Sequence, residues 1–100
     1  MEIEELQKIM EETIELIDKK FNCKHNTNNT FMHLIEEIGE LSEELNKPNI
    51  RNKEIDMKNL EEEIADVLLL TTKLACIHNI NIEKAIKNKI EKLKQRHNLN

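Results

Sequence analysis

LIEEIGEL, Leu34 to Leu41, and LEEEIADV, Leu60 to Val67, set one pattern twice in the chain. The two octets agree position by position: Leu, any residue, Glu, Glu, Ile, a small residue, an acid, an aliphatic residue. A helix advances about 100° per residue, so with Leu34 marking the core direction Glu37 falls about 60° to one side and Glu40 about 120° on that same side. From Leu60, Glu63 and Asp66 fall at the same two angles. Each octet therefore predicts a helix with an i, i+3 acid pair along one shoulder of its apolar stripe.

Before the first octet, Ile3, Leu6, Met10, Ile14 and Ile17 repeat at helical spacing and predict a first helix from about Ile3 to Phe21. The stretch NCKHNTNNT, Asn22 to Thr30, is rich in turn-forming Asn and Thr and reads as a loop ending in a cap at Asn29 or Thr30. The first octet then lies in a helix from about Phe31 to Asn46, with Leu34, Ile38, Leu41 and Leu45 inward and Pro48 as its stop. After a polar connector, KPNIRNKEID, a third helix runs from near Asp56 or Asn59 to about Ile77, with Leu60, Ile64, Val67, Leu68 and Leu74 inward. Asn81 caps a fourth, Ile82 to about His97, whose apolar face is Ile82, Ile86, Ile90 and Leu93. No segment alternates as a strand does.

Composition agrees. The 100 residues are 38% hydrophobic and 35% charged, with one Gly, one Pro and two aromatics, which suits helices and leaves little for turns of a β fold. The expected fold class is all-α, one domain over residues 1–100, four-helix bundle-like. A core this thin is expected to be completed by homo-oligomerisation, as a dimer or tetramer.

The net charge of −5 is uneven, because Glu83 to Asn100 holds six Lys/Arg against two Glu. An acidic body with one basic helix argues against a nucleic-acid partner, which wants a broad basic face. It suits a site that handles both a cation and phosphate. The acidic start MEIEEL lacks the basic and apolar regions of a secretory signal, and no apolar run approaches the ~20 residues of a membrane span. Cys23 and Cys76 form no CxxC pair and read as reduced thiols. The expected location is cytoplasmic, with no membrane partner. Each Cys opens a Cys-x-His triplet, but positions i and i+2 on a helix point apart, which disfavours zinc.

Packing the two acid shoulders together brings Glu37, Glu40, Glu63 and Asp66 to one edge of the core. Close carboxylates raise one another's pKa and need a compensating cation. An all-oxygen set selects a hard ion, so Mg²⁺ is expected, with Mn²⁺ as substitute. A di-iron bundle would need Glu-x-x-His, which the chain lacks. Gly39 and Ala65, between the acids of each octet, leave room for a neighbouring helix or a phosphate to approach the backbone.

Glu36, Glu37 and Glu40 form E-E-x-x-E, and Glu63 with Asp66 forms E-x-x-D. With HLIEEIGELSEEL and LEEEIADVLLLTTKLA around them, these motifs resemble those of the MazG-like nucleotide pyrophosphohydrolases, an all-α superfamily, over nearly the whole chain. The resemblance implies hydrolysis of an NTP or dNTP between its α and β phosphates to the monophosphate and pyrophosphate. It implies Glu37, Glu40, Glu63 and Asp66 as metal ligands, the four already picked out by helix phase. Glu36 becomes the candidate catalytic residue that orients or deprotonates water, and Lys89, Lys92 and Arg96 become candidate phosphate contacts. In the closing helix Ile90 and Leu93 occupy the candidate positions where many relatives carry an Asn. Nucleobases commonly stack on aromatics, but only Phe21 and Phe31 are present, and both read as core. Two alternatives stand beside this reading: a phosphoribosyl-ATP pyrophosphatase of the same superfamily, and a non-catalytic nucleotide-binding or oligomerising helical module.

Overall fold

The computed structural model describes residues 1–23 and 26–99, and its regular elements are all helices: α1 (Ile3–Lys20), α2 (Thr27–Leu45), a π-helical turn (Lys47–Arg51), α3 (Met57–Ile77) and α4 (Ile82–Arg96). Among the described residues there is no strand. Lys24, His25 and Asn100 lie outside them, and with Lys24 and His25 the first Cys-x-His triplet.

Asparagine sets most of the helix ends. Asn26 starts α2 through a reciprocal capping box: its Oδ1 accepts from the Asn29 amide at 2.9 Å, and the Asn29 Oδ1 accepts from the Asn26 amide at 2.8 Å. The cap expected at Asn29 or Thr30 is thus displaced to Asn26, and α2 begins about a turn before Phe31. Asp56 and Asn81 cap α3 and α4 by accepting from the Asn59 and Lys84 amides. At the other ends, Asn22, Asn79 and Asn98 adopt positive φ just after α1, α3 and α4. The amides that follow them, of Cys23, Ile80 and Leu99, each donate back to a carbonyl of the last turn at 2.8 Å. These are Schellman closures with Asn in the place glycine usually takes.

The expected polar connector contains order. After α2 ends at the Asn46 C-cap, Pro48 sits in the first turn of the π-helical segment, where a missing N–H is harmless. Asn52, at φ 52°, turns the chain toward α3.

Helices α2 and α3 form an antiparallel hairpin, α1 lies along α3, and α4 packs on α1. Two polar ties fix α1. Gln7 is buried, donating to the Ile80 carbonyl at 2.8 Å and accepting from the Ile82 amide at 2.9 Å, so it pins α1 to the α3–α4 turn. The Lys73 ammonium meets the Asp18 carboxylate at 3.1 Å across α1 and α3.

The four helices do not close on one another. The Cα radius of gyration is 16.4 Å, against about 13 Å for a compact 100-residue domain. Of the described apolar side chains only Leu34 and Leu70 are buried. Ile3, Leu6, Ile17, Ile38, Leu45, Ile64, Leu68, Ile86, Ile90 and Leu93, all expected inward, are exposed in the single chain, as are Phe21 and Phe31. A Cβ built on Gly39 would meet nothing within 4 Å, so within one chain no helix makes the close approach expected there.

Candidate metal centre

The α2–α3 hairpin places the two acid shoulders face to face. Glu37, Glu63 and Asp66 each offer a carboxylate oxygen, and these oxygens lie within 4.8 Å of one another. Glu40 lies beside them, lining one cavity with Glu63 and raising the carboxyls of both Glu37 and Glu63 by its charge. All four residues selected by helix phase are therefore gathered at one edge of the hairpin.

The electrostatics are those of a site short of positive charge. Partial burial, then the neighbouring Glu40 and Glu37, push the Glu63 carboxyl up to about 7. Burial, then Glu40 and Asp66, raise Glu37, whose side chain is 14% exposed; His33, with Nε2 3.3 Å from its Oε1, acts the other way. One oxygen each of Glu37 and Glu63, Oε2 in both, is buried with no hydrogen-bond partner. Unpaired buried carboxylate oxygens pointing into a cluster of like charge fit a hard, oxygen-ligated divalent cation. No Cys or His joins the set among the described residues, and Cys76 lies elsewhere, its thiol pushed up by burial and then by Glu11.

The remaining candidates stand apart. Glu36 is exposed on α2. Lys89, Lys92 and Arg96 are exposed on α4, which packs against α1 rather than the acid edge. Within one chain these cations are not brought to the carboxylates.

Beside the acid edge the structure adds residues that were not picked out from the sequence. Glu40 and Glu63 border a cavity of about 330 Å³ whose far side includes Lys47, Asn59 and Glu44. Glu44 is only 1% exposed. Its Oε1 accepts from the Lys47 ammonium at 2.8 Å and the Asn59 amide group at 2.6 Å, and its Oε2 from the Asp56 backbone amide at 2.9 Å. These three donors hold its carboxyl down to about 2, the Lys47 and Asn59 bonds first. A signal was there: Glu37, Glu40 and Glu44 follow i, i+3, i+7 on α2, and Asn59, Glu63 and Asp66 follow i, i+4, i+7 on α3.

Residues 25–99 match the family described as the MazG nucleotide pyrophosphohydrolase domain. Neither the curated proteins nor the solved structures give a match.

Proposed function

Because the chain belongs to the MazG nucleotide pyrophosphohydrolase family, we propose that it hydrolyses a nucleoside triphosphate, ribo- or deoxyribo-, between the α and β phosphates, releasing the monophosphate and pyrophosphate. The observation that carries this reading is the meeting of Glu37, Glu63 and Asp66 with Glu40 beside them, two buried carboxylate oxygens being left unpaired. These four would hold Mg²⁺, or Mn²⁺ in its place. Once bound, such an ion neutralises phosphate charge and acidifies water, the two needs of phosphoanhydride hydrolysis.

The chain's own residues then have distinct tasks. The quartet stays charged when compensated and fixes where the triphosphate's phosphates lie. Glu36, exposed beside Glu37, orients or deprotonates the attacking water. Lys89, Lys92 and Arg96 meet the phosphates, which requires an assembly that delivers α4 to an acid edge. The uncovered apolar faces of all four helices support such a homo-oligomer, formed by residues 1–100 acting as one unit. A purely structural hairpin would be more stable with apolar residues in place of partly buried carboxylates, which favours a working site over a non-catalytic module.

The test is pyrophosphate release from a panel of NTPs, dNTPs and phosphoribosyl-ATP, with Mg²⁺ and with chelator. Turnover of ordinary triphosphates, lost in chelator, is expected; exclusive turnover of phosphoribosyl-ATP would move the assignment to that substrate. Glu63→Ala should lower the rate more than about 100-fold while leaving far-ultraviolet circular dichroism unchanged. Full activity in that variant removes the ligand assignment.

A further inference from the structure

The acid edge is one part of a longer ladder between α2 and α3. Along the antiparallel pair, Glu37 and Asp66 bring carboxylate oxygens within 4.8 Å, Glu40 and Glu63 line one cavity, and Glu44 bonds Asn59, each pair set symmetrically about the same point of the hairpin. The first two rungs are acid against acid and push the helices apart. The third is the reverse, a carboxylate accepting at 2.6 Å from an amide group.

We propose that Glu44 is the positioning residue of the site: by joining the end of α2 to the start of α3 it sets the register in which the four carboxylates converge, and so their affinity for a divalent cation. The inference rests on the metal reading above. Its geometry is specific, since each oxygen of Glu44 reaches the α3 start, Oε2 at the backbone of Asp56, which is the α3 N-cap, and Oε1 at the Asn59 side chain one turn before Glu63. Lys47, held by the same carboxylate, ties in the turn that joins the helices. A carboxylate taken almost wholly out of water survives only when its oxygens are paired with donors, and every donor it has belongs to the α2–α3 corner. Exchanging it for an amide sets an NH₂ against those donors and releases the corner. Opposed acids one and two rungs away can then slide or splay, and metal geometry is sensitive to displacements of this kind.

The experiment measures Mn²⁺ binding to the full chain, without nucleotide, by titration calorimetry and by the electron paramagnetic resonance signal of free Mn²⁺. Glu44→Gln is expected to weaken Mn²⁺ at least about tenfold with helicity and oligomeric state unchanged. Glu43→Gln, the same loss of charge at the exposed neighbouring position, should stay within about twofold. Asn59→Ala removes one arm of the clasp and leaves the carboxylate; it should weaken Mn²⁺ at least about threefold, and it decides the matter should Glu44→Gln fail to fold. A folded Glu44→Gln within twofold of wild type, an equal loss in Glu43→Gln, or an unaffected Asn59→Ala overturns the role of Glu44 alone. A wild-type chain that takes up no Mn²⁺ removes the metal reading as well.

Discussion

Glu63 has to be protonated or compensated, and that requirement is measurable. Its carboxyl is raised from 4.5 to about 7 by burial and by Glu40 and Glu37, so between those values the folded chain holds a proton that the unfolded chain has released. Stability contributed by such a group falls as pH rises through that window. Glu37, raised for similar reasons, adds in the same direction. Glu44 has the opposite sign: lowered to about 2, it contributes stability above 4.5 that is lost as pH falls toward 2. Metal-free protein should therefore lose thermal stability between about pH 4.5 and pH 7. Glu63→Gln, which cannot ionise, should flatten that slope, and Mg²⁺ should restore the midpoint at the alkaline end by binding the folded form only. Scanning calorimetry with and without chelator reads both; an identical pH slope in Glu63→Gln would mean the clustered carboxyls are not strained.

At the scale of the element, the octets were legible because phase alone decides which way a helical side chain faces. Two matching Leu-x-Glu-Glu-Ile patterns placed four acids on facing shoulders without any knowledge of how the helices are joined. Glu44 was hidden because a further Glu on a Glu-rich helix has no compositional mark, and its meaning lies in the pairing with Asn59 that only the hairpin creates. Asparagine was half legible. Its side-chain oxygen made it readable as a cap, but the sequence does not distinguish an Asn that accepts from an amide, as Asn26 does, from one that takes the left-handed conformation, as Asn79 does at φ 55°. With a single glycine in the chain, Asn carries that second duty at the ends of three α-helices and of the π-helical turn. Asn79→Ala should thus destabilise the fold by about 1 kcal/mol, since a Cβ with no polar group to help it disfavours that conformation. Asn79→Gly should be neutral or slightly stabilising. Urea midpoints of the two variants separate backbone strain from a lost side-chain contact, because a lost contact would weaken both alike.

For the whole molecule, the distance between an amphipathic pattern and a closed core is what matters. Each apolar stripe was visible at helical spacing, yet the chain that bears them keeps Ile38, Ile64, Leu68 and Ile90 exposed and remains wider than a compact domain of its length. Intrachain packing runs α2 to α3 to α1 to α4 and leaves α4 beside α1. Covering those stripes and the proposed delivery of Lys89, Lys92 and Arg96 to an acid edge would be met together if copies of the chain pack through their open faces. Leu68, 59% exposed on α3, separates the two cases by magnitude. In a lone chain Leu68→Ala is a surface change, within about 0.5 kcal/mol; in an assembly that buries it, the same change creates a cavity and costs about 2–5 kcal/mol. The assembly further requires the unfolding midpoint to rise with protein concentration, which a monomer's does not. Sedimentation equilibrium of the wild type, with thermal unfolding of Leu68→Ala at two concentrations, tests both. A monomeric mass with a concentration-independent midpoint and a silent Leu68→Ala would leave the basic helix without a route to the carboxylates.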